Sequence, residues 1–335
     1  MARALELAAH GLGTTYPNPL VGCVIVHKDT IIGQGFHHHA GGPHAEVVAI
    51  SQIQDDALLR ESTLYVTLEP CSHFGKTPPC ANLILAKKIP HVVICNTDPN
   101  PKVAGSGIKL LRDAGVVVQT GVLESAGREV NRRFFTFFEK HRPYIILKWA
   151  QSADGFLAPE TREEKRPVWI TGNRSRQMVH KWRTEEQAIL IGTKTALDDN
   201  PELTARYWHG NQPLRILIDK TRKVKPESHI FDSQSKTVVF HDSETAPVNA
   251  QLIRIAFDDV PARVVKNLYQ MGLQSVIVEG GAKTLESFIK AGLWDEARVF
   301  TGLVRFGQGT AAPQIETRII ERTTVGDDQL ILYRP

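Results

Sequence analysis

Apolar positions along the first 140 residues switch repeatedly between helical and strand spacing. The spacing predicts a helix over Ala2–Ala9, strands over 21–26 and 31–35 joined by the turn at 27–30, and a helix starting near His44. Pro43 suits the first turn of that helix. Further on come a strand over 64–68, a helix over 81–88, a strand over 92–95 and a helix over 108–113 stopped by Gly115. A strand over 116–119 follows, then a helix over 125–139 packed through Phe134, Phe135, Phe137 and Phe138. Strands alternating with helices imply a sheet layered between helices.

After 141–143 the pattern restarts with an apolar strand over 144–149. Strands are predicted over 188–191, 214–218, 237–240, 275–278, 297–300 and 329–333, with helices over 175–184, 261–269 and 284–291. A domain boundary is therefore placed at about residue 142, giving units 1–142 and 143–335. No internal repeat or low-complexity tract interrupts either half.

Composition adds limits. The chain has 335 residues, 42% hydrophobic and 23% charged, which supports two packed cores and excludes wholesale disorder. Forty Lys and Arg against 36 Asp and Glu leave a net +4 with no long run of one sign. That disfavours a nucleic-acid partner, while an isoelectric point near 8.8 suits a small anionic substrate. No segment approaches 18 uninterrupted apolar residues and the first ten lack a signal-peptide layout, so no membrane partner and a cytoplasmic location are expected. Four cysteines are too few for a disulfide scaffold. Cys23 and Cys95 lie in apolar runs and read as small buried hydrophobes, whereas Cys71 and Cys80 sit in polar, proline-flanked sequence.

The candidate chemistry begins at His44 and Glu46, two residues apart at a helix start. Cys71 follows a strand and turn, and Cys80 opens the next helix, where free N–H groups favour thiolate. One His and two Cys supply three zinc ligands, and a fourth position left to water is the catalytic arrangement. Glu46 would then shuttle protons rather than bind metal. The alternative is a closed four-ligand site completed by His73, His37 or Cys23, which leaves Glu46 without a task. His-x-Glu followed by Pro-Cys and a second Cys matches the zinc-dependent nucleobase deaminases, although eight residues separate Cys71 from Cys80 instead of two. Asn18, in Pro17-Asn18-Pro19, is a candidate to read a pyrimidine edge, and Asn100, in a loop that follows a strand, is a candidate substrate contact; turn chemistry is the plain alternative for both. The run His37-His38-His39 reads as solvated loop histidines, with His37 best placed to face the cleft.

The strings TYPNPLVGCVIV, GFHHHAGGPHAEVVAI, VTLEPCSHFGKTPPC and TDPNPKVAGSGI together resemble the bifunctional deaminase–reductase family of riboflavin biosynthesis. The loop GKTPPC and the string DPNPKVAGSG separate it from cytidine and tRNA-adenosine deaminases. The resemblance implies a cytidine-deaminase-like α/β/α layered domain followed by a dihydrofolate-reductase-like α/β domain. The expected activity is deamination of a phosphorylated diaminopyrimidine followed by NADPH-dependent reduction of its ribosyl group. Members of that family often carry a few residues ahead of the segment that opens this sequence; a homo-oligomer, dimer or tetramer, is expected.

Unaided, the second half signals less. Residues 278–284 read as a strand, a glycine turn and a helix start able to hold a phosphate, and 195–201 as a polar loop, followed by 203–206 ending in an arginine. A tight ligand-free turn is the alternative for the first, and a solvated helix face for Arg183. KWAQSADGFLA, AILIGTKTALDDNPELTAR and VEGGAKTLESFIKAGLWDE are similar to the reductase half of the family. That likeness implies cofactor contacts at Ala150, Trp169, Thr195, Asp199, Gly281, Ala282, Lys283, Thr284, Leu285, Glu286 and Ser287, with Asp219 as a further neighbour. It implies substrate contacts at Arg183, Leu203, Arg206 and Glu279. Pro167 is a departure: many members of the family have a serine at that position, two residues before the tryptophan. The rivals are a deaminase acting on nucleic acid and a zinc-stabilised binding protein without turnover.

Overall fold

The computed structural model describes residues 1–72, 78–101, 103–161, 168–243 and 248–335. It divides into two compact units, Met1–His141 and Arg142–Pro335.

In the first unit the elements are α1 (Ala2–Ala9), β1 (Gly22–His27), β2 (Thr30–Phe36), α2 (Ala45–Ile50), α3 (Asp56–Leu59), β3 (Ser62–Leu68) and α4 (Cys80–Ala86). β4 (His91–Asn96), α5 (Ser106–Asp113), β5 (Val117–Thr120), α6 (Glu124–Val130) and α7 (Arg132–Lys140) complete it. The five strands form one sheet in the order β2-β1-β3-β4-β5, antiparallel across β2-β1-β3 and parallel from β3 to β5. Alternate β1 residues face opposite ways, as strand geometry requires. Cys23 and Ile25 pack with α2, α4 and α5, and Val24 packs with Ala4 and Leu7 of α1. Helices thus cover both faces.

The single helix expected over 125–139 is broken at Asn131. Leu20 N–H donates to its Oδ1 and its Nδ2 donates to Leu20 O, both at 2.8 Å. A buried amide serving a distant backbone outweighs helical continuity here.

The second unit contains β6 (Tyr144–Gln151), β7 (Phe156–Pro159), α8 (Asn173–Glu185), β8 (Ala188–Gly192), α9 (Thr193–Asp199), β9 (Leu214–Ile218), β10 (Thr237–His241) and β11 (Gln251–Arg254). α10 (Val260–Gln270), β12 (Ser275–Gly280), α11 (Ala282–Lys290), β13 (Glu296–Thr301), β14 (Gly309–Ala311), β15 (Arg318–Val325) and β16 (Asp328–Arg334) follow. Nine strands run in the order β11-β10-β9-β8-β12-β6-β13-β16-β15. Those from β11 to β13 are parallel, and β16 and β15 are antiparallel additions. α10 and α11 pack on one face through Val264, Leu268, Leu285 and Phe288; α8 and α9 pack on the other. The loop expected from Thr195 is instead the end of α9, supported by a Lys194–Asp198 pair one turn apart and closed by Asn200 at φ +40°.

Among the described residues no helix is long and apolar enough to cross a membrane.

Candidate active sites

In the first unit, the end of β3 and the starts of α2 and α4 converge. His44 is the residue before α2, with extended backbone, and Glu46 lies in the first turn at 3% exposure. Cys71 follows the Leu68-Glu69-Pro70 strand end, and Cys80 begins α4 directly after Pro79. His44 Nδ1 lies 3.2 Å from Cys80 Sγ and 3.6 Å from Cys71 Sγ. One donor atom from each of the three lies within 4.8 Å of the others, and among the described residues this cluster has no fourth member. Cys23 is instead buried in the sheet core, and His73 lies outside the described residues.

The electrostatics suit a soft cation. The Cys80 thiol, then His44 and the Cys80 backbone N–H, hydrogen-bond Cys71 and hold its thiol well below the usual range; Cys80 shifts upward because its neighbour carries the charge. Burial, opposed by hydrogen bonds and by His44, leaves the Glu46 carboxyl raised to about 6, and Glu46 shares a hydrogen bond with Cys80. Two sulfurs and an imidazole nitrogen, with a buried carboxyl beside them that is not one of the three donors, fit zinc.

Asn18 reaches this site through a relay. Its Nδ2 donates to His37 Nε2 at 3.0 Å, and His37 Nδ1 donates to Pro43 O at 2.9 Å. The His37 ring lies 5.5 Å from that of His44, and burial pushes its pKa down.

Asn100 sits in a different setting, built by a residue that sequence reasoning does not single out. The buried Glu69 carboxylate accepts the N–H groups of Gly105 (2.9 Å), Asp98 (3.3 Å), Gly107 (2.9 Å) and Ile108 (3.2 Å). It thereby pins both ends of the loop carrying Asn100 and caps α5. Gly107 is required by close approach, since a Cβ there would lie 1.9 Å from Pro70 O.

In the second unit, two strand-to-helix turns lie side by side at the C-terminal ends of the parallel neighbours β8 and β12. A Cβ on Gly281 would sit 3.2 Å from Thr195 Oγ1, and one on Gly192 would sit 2.5 Å from Thr284 Oγ1. This brings Thr195, Gly281 and Thr284 together, with Ala282, Lys283, Leu285, Glu286 and Ser287 continuing into α11. A glycine-lined turn against a helix start fits a dinucleotide phosphate. Ala150 lies on β6, and Trp169 is 57% exposed beneath the Arg176 guanidinium, 4.4 Å from its ring centre. Asp199 ends α9. The Asp219 carboxylate is engaged by the Thr193 hydroxyl at 3.1 Å and Val224 N–H at 2.8 Å, which makes it a turn-holder. Pro167 lies outside the described residues.

Arg183 and Glu279 meet. Arg183 Nη2 donates to Glu279 Oε2 at 3.0 Å, and its Nη1 donates to Thr204 O at 3.0 Å, beside Leu203. Lys148, another residue not singled out by sequence, places its Nζ 4.0 Å from Glu279 Oε1. Burial works against ionisation of Glu279, yet Arg183 and Lys148 outweigh it and hold the carboxyl down to about 2. Arg206 pairs with Glu202 and keeps 38% of its side chain exposed.

A layered unit with a His-Cys-Cys centre, joined to a parallel-sheet unit with a glycine turn and a buried cationic cluster, defines a deaminase coupled to a reductase. Family models agree: residues 1–96 match the cytidine and deoxycytidylate deaminase zinc-binding region, and 143–323 match the RibD C-terminal domain. The riboflavin biosynthesis protein RibD of Aquifex aeolicus is 38% identical over 351 residues, spanning 100% of this chain and 97% of the relative. That of Escherichia coli strain K12 is 38% identical over 319 residues, spanning 90% and 86%. The crystal structure of a diaminohydroxyphosphoribosylaminopyrimidine deaminase/5-amino-6-(5-phosphoribosylamino)uracil reductase from Thermotoga maritima superposes with a TM-score of 0.89 at 36% identity, over 100% of this chain and 97% of that one. RibD of Acinetobacter baumannii gives 0.90 at 31% identity over the same shares. The chain belongs to the bifunctional deaminase–reductase family of riboflavin biosynthesis, enzymes that join a zinc-binding deaminase to an NADPH-dependent reductase.

Proposed function

We propose that residues 1–142 deaminate 2,5-diamino-6-ribosylamino-4(3H)-pyrimidinone 5′-phosphate, and that residues 143–335 reduce the product, 5-amino-6-(5-phosphoribosylamino)uracil, to its ribitylamino form. The observation that carries this reading is the gathering of the His44, Cys71 and Cys80 donor atoms within 4.8 Å, with Glu46 buried beside them. His44, Cys71 and Cys80 would hold zinc. When bound, zinc supplies a water made more acidic, toward neutrality. Glu46 takes a proton from the attacking water and delivers protons to the ring nitrogen and the departing amine, so that water and the amine become a carbonyl and ammonia. Burial at 3% exposure and its hydrogen bond to Cys80 keep the Glu46 carboxyl beside the ligand cluster, where those protons must move. Asn18 and Asn100 present amide groups to the pyrimidine edge.

In the reductase half, the 281–287 turn and helix, with Thr195, Asp199, Ala150 and Trp169, would hold NADPH. When bound, NADPH supplies the hydride, delivered to the sugar C1′. Glu279, Arg183 and Leu203 border the sugar, and Arg206 takes the 5′-phosphate through a charge-assisted pair. The near-balanced charge favours a small phosphorylated pyrimidine over nucleic acid. A cytoplasmic location keeps the Cys71–Cys80 pair reduced and able to bind metal. A homo-oligomer is supported by the exposed edge strand β15, with Ile319 and Ile320 in solvent.

The test is an order-of-events assay on the zinc-loaded chain given the phosphorylated diaminopyrimidine. Ammonia release without NADPH, and NADPH oxidation only after that release, is the expected result. NADPH oxidation preceding ammonia release would overturn the proposed order.

A further inference from the structure

We propose that His180 is a positioning residue of the reductase half, its imidazole Nδ1 acting as a fixed acceptor that clamps the Arg206 backbone to α8. The proposal rests on the reading that Arg206 binds the substrate's phosphate end.

Residues 200–213 belong to no helix or strand, yet they carry Leu203 and Arg206. Leu203 sits at φ +58°, a conformation a leucine keeps only when its surroundings hold it. The main hold comes from one face of α8. His180 and Arg183, three residues apart, project side by side. Arg183 Nη1 donates to Thr204 O at 3.0 Å, and Arg206 N–H donates to His180 Nδ1 at 2.8 Å, with Tyr207 N–H farther away at 3.5 Å. The two contacts bracket Ala205, which is itself tied to Gln212 through its N–H at 2.7 Å.

His180 is 5% exposed, and the Tyr207 ring packs against it edge-on at 4.7 Å. An imidazole that accepts at Nδ1 must be neutral there, because an imidazolium has only donors. Its setting keeps it so: burial, then Arg183 and Arg206, with Lys148 adding to them and Glu279 opposing, push its pKa down to about 4. The mechanism above leaves this buried, neutral histidine without a chemical step. Its geometry assigns it to preorganisation. Fixing the backbone at Arg206 restricts where the partly exposed guanidinium can reach, so less ordering remains for the substrate to bring about.

The acceptor requirement allows an atom-level test in the zinc-loaded, full-length chain supplied directly with deaminated substrate. Asparagine places its amide oxygen near the Nδ1 position, glutamine near Nε2, and phenylalanine fills the space without an acceptor. H180F and H180Q are expected to raise the substrate KM about three- to tenfold, the loss of one net hydrogen bond, with NADPH affinity unchanged. H180N should restore KM to within about twofold. Circular dichroism and thermal melting of the same preparations check folding, and the H180N–H180Q contrast decides the matter should H180F fail to fold. H180Q and H180N with equal KM values, or NADPH affinity falling in step, would overturn the proposal. R206A supplies the second arm: a raised KM there beside wild-type KM in H180F and H180Q overturns the His180 role alone. A wild-type KM in R206A overturns both readings.

Discussion

The backbone N–H of Cys80 donates to the Sγ of Cys71 at 3.3 Å. The first turn of α4 thus faces the sulfur that follows β3, and a helix start stabilises negative charge. The same turn supplies the second sulfur.

Cys71→Ser replaces the soft donor that the site favours as an anion. Zinc content after gel filtration should fall well below the one ion per chain expected of the parent, and deamination should fall with it. NADPH-dependent reduction of supplied product should be unaffected. Full zinc occupancy in folded Cys71→Ser would remove Cys71 from the ligand set.

Glu69→Ala leaves four backbone N–H groups without their acceptor. Hydrogen bonds to a buried charge are worth about 1.5–3 kcal/mol each, and they do not add fully, so a loss of about 3 kcal/mol is expected in the first unit. Hydrogen exchange gives the local reading: the amides of Gly105, Gly107 and Ile108 should lose protection while those of β12 keep theirs.

These two sites mark what was legible in the sequence. His44, Glu46, Cys71 and Cys80 could be singled out because their chemistry requires few residue types at short spacing. Glu69 stayed hidden because its partners are backbone groups 29–39 residues further along. The break at Asn131 was equally unreadable, since its partner Leu20 is 111 residues away. Nothing in the sequence singles out His180 within the helix over 175–184, because its partner too is a backbone N–H. β15 carries little period-two signal, being an edge strand exposed on most of its length. Parallel strands buried on both faces, such as β8, were plain from their apolar runs.

Stability of the second unit should depend on pH through His180. Its folded pKa of about 4 lies below the ordinary value of 6.5. Between those values the unfolded chain binds a proton that the folded chain does not, so stability rises with pH across the window. The contribution is complete above about pH 6.5 and lost as pH falls toward 4, with an upper size of about 3 kcal/mol. Thermal melting of parent and His180→Asn at pH 7 and pH 5 checks this. The parent should lose more stability on acidification than the variant; equal losses would remove His180 as the titrating group.

The central claim is that Glu46 carries protons for one reaction only. Glu46→Gln keeps the shape and a hydrogen-bonding group but no proton carrier, and general acid–base catalysis is worth roughly 10²–10⁴-fold. The decisive measurement compares parent and Glu46→Gln, both folded and zinc-loaded, for ammonia release and for NADPH-dependent reduction of supplied deaminated substrate. Deamination should fall at least 10²-fold with zinc retained and reduction near the parent rate. Loss of reduction together with deamination, or deamination at the parent rate, would contradict the account.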